Sequence, residues 1–188
     1  ITATAPTRIS DCGGWTDTWF ARHGGVFHIA VEPGTQVDVQ ASERHADRAP
    51  VTIHAESFGE TYAYWPGTRP WGRQPLLEAA IESVGLSPDV GVDVRVRSGM
   101  PAGVAVGTSA SVCVALVGAL MRLAGRTGDR QAVATAAHRV ETELLAQQSG
   151  VQDQLAAAHG GVNYVEIDAY PHARVHPVVL PPGVLDQL

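Results

Sequence analysis

Pro101-Ala102-Gly103-Val104-Ala105-Val106-Gly107-Thr108-Ser109-Ala110-Ser111 stands between two stretches of different periodicity, and that junction decides the fold. On its N-terminal side Val90, Val92, Val94 and Val96 alternate with Asp93, Arg95 and Arg97, the pattern of a half-buried strand over 90–97. On its C-terminal side an apolar helix is predicted from about Ser109 to Ala124, with Gly125 to close it. A glycine-containing loop entering a helix start presents unpaired N–H groups and the positive end of the helix dipole, which together attract anions. Thr108, Ser109 and Ser111 add hydroxyls suited to phosphate or to the shell of a Mg2+ ion. The same residues also read as a tight strand-to-helix turn with Ser/Thr caps and no ligand. The loop lacks the Gly-Lys-Ser/Thr of a Walker A motif and the early GxGxxG of a dinucleotide fold.

Upstream, Leu76, Leu77, Ala80, Ile81 and Val84 share one helical face, with Gly85 as the C-cap. Val26–Val31, Glu32-Pro33-Gly34 and Thr35–Gln40 read as strand, turn, strand. Val51–His54 and Glu60–Tyr64 are further strands, and 67–72 is a Pro/Gly/Trp-rich loop. Downstream, Asp129 can N-cap a helix to about Gln147, which Ser149-Gly150 breaks. A short helix from Val151 to Ala158 ends at Gly160-Gly161, and Asn163–Ile167 and Ala173–Val179 read as closing strands. This order predicts an α+β domain rather than a regular βαβ array.

The 188 residues are 45% hydrophobic and 17% charged, enough for a globular core without disulfides or structural metal. Thirteen Lys+Arg against nineteen Asp+Glu give a net charge of −6, which argues against nucleic-acid and anionic-membrane binding and disfavours an RNA-binding module. A phosphate ligand is compatible with that charge, because backbone N–H groups and one Arg can hold it. Cys12 and Cys113 lack zinc spacing and read as free thiols of a reducing, cytoplasmic compartment. The start, Ile1-Thr2-Ala3-Thr4-Ala5-Pro6, has no basic prefix of a secretory signal and no initiator Met, as expected of a processed or trimmed chain. Val104–Met121 is uncharged over a membrane-spanning length, yet its first third is loop composition and no aromatic belt flanks it, so a buried helix is expected. His172 and His176 are four apart, but Pro171 and Pro177 argue against a helical zinc pair.

Two further segments bear on the loop. One is Ala5-Pro6-Thr7-Arg8-Ile9-Ser10-Asp11-Cys12-Gly13-Gly14-Trp15-Thr16-Asp17-Thr18; the other is Glu141 followed by Gly150-Val151-Gln152-Asp153-Gln154 and Gly160-Gly161. In this order the three segments resemble the GHMP kinases, the superfamily of galactokinase, homoserine kinase, mevalonate kinase and phosphomevalonate kinase, from about Ala5 to Ile167. Gly13–Thr18 is most similar to fucokinase-like and heptose-phosphate-kinase-like sugar kinases. The resemblance implies an α+β fold like ribosomal protein S5 domain 2, with 1–175 as the N-terminal, ATP-binding domain and 176–188 as the start of a truncated C-terminal domain. It implies an ATP-dependent sugar kinase that moves the γ-phosphoryl of MgATP to a hydroxyl of a monosaccharide or monosaccharide phosphate.

Site roles follow from the same resemblance. Pro101, Gly103, Val104, Ala105, Gly107, Thr108, Ser109, Ala110 and Ser111 would hold ATP phosphates, and Ser109 and Glu141 the Mg2+. Asp153 would face the acceptor hydroxyl, with Arg8 beside it and the transferring phosphoryl; Asp17, with Thr16, Gly14, Gly150 and Gln152, would hold the substrate. Each has a plainer reading: Arg8 paired with Asp11, Glu141 on a wet helix face, Asp153 as a first-turn helix charge, Asp17 and Thr16 in a turn. Trp15 and Trp19 are expected to pack against the strands, with stacking on a sugar left open. One departure stands out. The family loop usually has a second Gly followed by Leu-Gly, whereas Ala105 and Val106 precede Gly107 here, and a methyl at 105 restricts positive φ. That departure, together with a chain shorter than the family's usual two domains, makes a non-catalytic nucleotide- or sugar-binding relative the alternative.

Overall fold

The computed structural model describes residues 1–101 and 103–184. The elements run β1 (Thr2–Cys12), β2 (Gly24–Glu43), β3 (Val51–Ala55), β4 (Glu60–Tyr64), α1 (Pro75–Val84), β5 (Val90–Ser98), α2 (Thr108–Leu123), α3 (Arg130–Arg139), α4 (Gln152–His159), β6 (Val162–Ala169) and β7 (His172–Pro177). One seven-stranded sheet has the order β4-β3-β5-β2-β6-β7, with β1 added on β2. All pairs are antiparallel except β3–β5, whose crossover carries β4 and α1. The α+β expectation is met.

Two strands differ from the sequence reading. β2 does not turn at Glu32-Pro33-Gly34 but continues for 20 residues. Its pairing with β1 resumes on both sides of that tripeptide, Thr7 opposite Val31 and Ala5 opposite Thr35, so the Pro-Gly signal is absorbed as a register shift. Gly34 is needed there because a Cβ would collide with the Ala5 carbonyl oxygen. β1 itself escaped the pattern: its inward residues Ala5 and Thr7 are small and Pro6 interrupts them. Residues 27–29 of β2 pair with both β1 and β6, and 35–38 with both β1 and β5, so β5 and β6 share the edge opposite β1.

β5 alternates as its valines require, with Val92, Val94 and Val96 buried. They pack with Val37, Val39 and Ile53 of the sheet and with Ile81, Leu116 and Leu120 of the helices in one core. Burial of such side chains contributes roughly 1.5–3 kcal/mol each. α2 is the central helix, lying on β1 and β2 and touching α1, α3 and α4. No helix among the described residues is long and apolar enough to cross a membrane. Asp129 caps α3 by accepting from the Ala132 N–H (2.7 Å), but the helix passes into a π-helical turn over Val140–Leu144 and stops short of Gln147. Residues 176 and 177, expected beyond the domain, close β7 within the same sheet, and the Val178 N–H reaches the Val162 carbonyl (2.8 Å). His172 and His176 lie in β7, where His176 contacts Glu166 (3.3 Å). Residues 185–188 of the expected second domain lie outside the described residues.

Leu116 is fully enclosed between α2 and the sheet. Leu116→Ala is expected to lower unfolding free energy by about 2–5 kcal/mol, read as a lower urea midpoint at unchanged slope.

Candidate active site

β1 pairs with β2 along one edge, and the loop before α2 docks on it from outside that pairing: the Arg8 N–H donates to the Val106 carbonyl (2.9 Å), and Ser111 Oγ donates to the Ala5 carbonyl (2.7 Å). Strand alternation puts Arg8 and Ser10 on the face opposite Ala5 and Thr7. Arg8 Nε and Nη2 donate to Asp153 Oδ1 (2.8 Å) and Oδ2 (3.0 Å), and Nη1 donates to the Ala105 carbonyl (2.7 Å). The planar guanidinium fork suits this bidentate contact, which Lys could not reproduce. Asp153 lies in the first turn of α4, so Arg8 joins that helix to the loop. The Asp11 side chain, the other partner expected for Arg8, lies outside those described.

The loop takes left-handed backbone at Gly103 (φ 84°), Ala105 (φ 59°) and Gly107 (φ 72°). The methyl at 105 therefore does not prevent positive φ; the Arg8 contacts at Ala105 and Val106 hold the loop in it, against an intrinsic cost of roughly 1–2 kcal/mol. Gly107 caps α2 without a side chain, leaving the first helix N–H groups uncapped. A cavity of about 530 Å³ opens here, lined by Arg8, Asp153, Gly103, Ala105, Gly107, Thr108 and Ser109, with Phe58, Leu76, Val96 and Met100 as apolar wall. Pro101 and Val104 are both exposed. Ala110 and Ser111 are buried; the Ser111 hydroxyl is taken by Ala5, so it anchors α2 to β1 rather than facing a ligand.

Residues 75–161 match the GHMP kinases N terminal domain. That match covers a little under half of the chain. Mevalonate kinase from Pyrococcus horikoshii is 36% identical over 75 residues, 40% of this chain and 22% of that protein. The L-fucokinase/L-fucose-1-P guanylyltransferase of Bacteroides fragilis is 26% identical across 88% of this chain and 20% of its own. Among solved structures, a D-glycero-D-manno-heptose 1-phosphate kinase from Bacteroides thetaiotaomicron superposes with a TM-score of 0.84 at 22% identity, covering 100% of this chain and 62% of that one. The chain thus spans about a fifth of the length of these curated relatives.

Asp17, expected to hold the substrate, lies inside the fold. It is 1% exposed, and its carboxylate accepts from the Gln152 backbone N–H (2.9 Å) at the start of α4. Burial pushes its carboxyl above the ordinary range. Gly150 is tight against it, since a Cβ there would collide with Asp17 Oδ2. Asp17 therefore positions α4, and Gln152, the residue before Asp153 in the chain, accepts through Oε1 from Ser10 Oγ (2.8 Å). Thr16 donates back to the Gly13 carbonyl (2.7 Å), closing the turn after Gly14. Ser10 was not foreseen; once β1 is recognised as a strand, its i+2 relation to Arg8 finds it.

The π-helical turn carries Glu141 inward instead of onto a wet helix face, where Arg139 and Glu143 pair with each other (2.9 Å). Glu141 Oε2 accepts from Ser149 Oγ (2.6 Å) and Gln154 Nε2 (2.9 Å), while Oε1 is buried without a partner. Burial, and then the Asp153 charge, raise its carboxyl pKa. Ser109 opens onto the cavity and Glu141 does not line it. Among the described residues no three His, Cys, Asp or Glu gather as a metal cluster. The donor set still fits a Mg2+ that takes one hydroxyl and one carboxylate oxygen and completes its shell with water and phosphate. Trp15 is not packed against the strands: it is 71% exposed and stacks on Phe20, with ring centroids 6.3 Å apart.

His28 sits beneath this site, fully buried, with Nε2 accepting from the Asn163 amide (3.2 Å). Burial and then the Arg8 charge lower its pKa from 6.5 to about 4. A histidine held neutral in the fold but protonated when unfolded contributes stability that is complete above pH 6.5 and is lost as pH falls from there through 4. The raised carboxyls of Asp17 and Glu141 act in the opposite sense, so comparison with His28→Asn isolates the histidine. The stability of the wild type relative to that variant is expected to fall as pH drops from 6.5 to 4, read in urea titrations. Ala105→Gly removes the loop strain and is expected to raise stability by roughly 1 kcal/mol, seen as a higher Tm.

Proposed function

We propose that this chain forms the nucleotide-binding half, and one wall of the acceptor site, of a kinase that transfers the γ-phosphoryl of ATP to a hydroxyl of a monosaccharide or monosaccharide phosphate. The observation that carries this reading is the Arg8 junction. One guanidinium grips Asp153 with two donors and the loop carbonyl of Ala105 with a third, so a carboxylate stands directly under the helix start. A Cβ at Gly107 would be 3.5 Å from Asp153 Oδ2. That is ordinary contact, so glycine is favoured at 107 by its left-handed backbone (φ 72°) rather than by lack of space.

The chemistry asks for positioning and charge neutralisation. The uncapped N–H groups of α2 and the hydroxyls of Thr108 and Ser109 supply contacts for phosphate oxygens, and the apolar wall around Phe58 and Met100 suits a nucleobase. Asp153 accepts a hydrogen bond from the acceptor hydroxyl and orients its oxygen. As the O–P bond forms, the bond from γ-phosphorus to the β,γ-bridging oxygen breaks and ADP leaves, while the hydroxyl proton passes to Asp153 or to solvent. Arg8 offsets negative charge on the transferred group. Mg2+, held on the protein side by Ser109 and the free Glu141 oxygen, would supply charge neutralisation of the phosphates. The alternative, a non-catalytic nucleotide- or sugar-binding relative, rests on Ala105 and on the short chain; the left-handed backbone at 105 answers the first of these.

In the full-length protein, Asp153→Asn is expected to lower kcat by roughly a hundredfold or more while the Kd for MgATP stays within about threefold. Coupled ADP-release assays across a monosaccharide panel, with calorimetric titration of MgATP, check both halves. Undiminished turnover would remove Asp153 from the reaction, and MgATP binding without turnover on any acceptor would return the non-catalytic reading.

A further inference from the structure

The segment between β1 and β2 is tightly built but exposes its largest side chains. Gly13 is flush against the Gly25 carbonyl, Thr16 Oγ1 donates to the Gly13 and Gly25 carbonyls (2.7 and 3.2 Å), and Thr18 Oγ1 donates to the Trp15 carbonyl (2.6 Å). The Asp17 carboxylate ties the same segment to the Gln152 N–H. Yet Trp15 is 71% and Phe20 59% exposed. Their rings lie 28° from coplanar, and Trp19 braces Phe20 edge-on at 5.2 Å between centroids. Trp15 holds this place in left-handed backbone, φ 74°, which a bulky residue rarely adopts. A polar turn would have satisfied the same backbone bonds without an exposed indole.

We infer that Trp15 and Phe20 form an aromatic shelf that takes the apolar face of the acceptor sugar ring. The inference rests on the kinase reading and names which surface holds the acceptor. Position argues for it: Trp15 is two residues, at most about 7 Å of backbone, from Asp17, which is bonded to the residue preceding Asp153. Chemistry argues for it as well. A pyranose presents C–H groups on one face and hydroxyls around its rim; the shelf matches the face, and Ser10, Gln152 and Asp153 match the rim. An acyclic alcohol has no such face to offer.

The test uses the full-length protein, L-fucose and D-galactose as ring acceptors, and mevalonate as an acyclic control. Trp15→Ala is expected to raise the KM of the sugar about tenfold with kcat and the KM of ATP within about threefold, and Trp15→Phe to restore most of the loss. Sugar added without nucleotide is expected to change tryptophan fluorescence in the wild type and not in Trp15→Ala. A sugar kinase whose KM ignores Trp15→Ala, or an enzyme that turns over only mevalonate, overturns the shelf and leaves phosphoryl transfer standing. A Trp15-dependent fluorescence response with no turnover keeps the shelf and removes the kinase. A lower Tm or altered oligomeric state in Trp15→Ala without a sugar effect assigns these rings to a protein contact and overturns the proposal.

Discussion

The three-way grip of Arg8 is the contact on which the site depends. Its donors reach two segments about a hundred residues or more downstream, a loop carbonyl and the carboxylate of a helix, and hold them at hydrogen-bond distance from one another's neighbours. Removing the arginine would leave Asp153 without its cation beneath a helix start and release the carbonyl that keeps Ala105 left-handed. Loop conformation and acceptor geometry are therefore one problem in this domain, solved by a single side chain.

Burial supports that grip from below. Asp17, Glu141, Gln154 and His28 are all enclosed, and each is tied to the α4 region or to the strand beside it: Asp17 to the Gln152 N–H, Glu141 to Ser149 and Gln154, His28 to Asn163. Polar groups enclosed this way are costly where unmatched, as Glu141 Oε1, Gln154 Oε1 and His28 Nδ1 are, while the bonds the same side chains do make fix their places. Small residues make room for it. Gly150 admits the Asp17 carboxylate, and the π-helical turn re-aims Glu141 by one position relative to a regular helix.

What could be read from the sequence divides along physical lines. The valines of β5, the apolar face of α1 and the cap at Asp129 are local signals, and each names its element. β1 was hidden because Ala5 and Thr7 fill their inward positions with little volume, leaving no β-branched apolar stripe. The Pro33-Gly34 signal is a true local bend, but only the pairing with β1 on both sides decides that the strand goes on. Arg8 and Asp153 came from the order of three motifs, whereas the inward turn of Asp17 and Glu141 depends on packing that no spacing encodes. The exposed indole of Trp15 is the reverse case, since apolar character alone predicts a packed residue.

β2 has a mechanical consequence. β5 leads into the phosphate-type loop and β6 leaves the helix of Asp153, and both hang from one edge of the same unbroken 20-residue strand. The two walls of the cleft thus share one strand, joined across its Glu32-Pro33-Gly34 bend. The separation of donor and acceptor walls is laid down along that strand, as marks are along a ruler, before any ligand arrives.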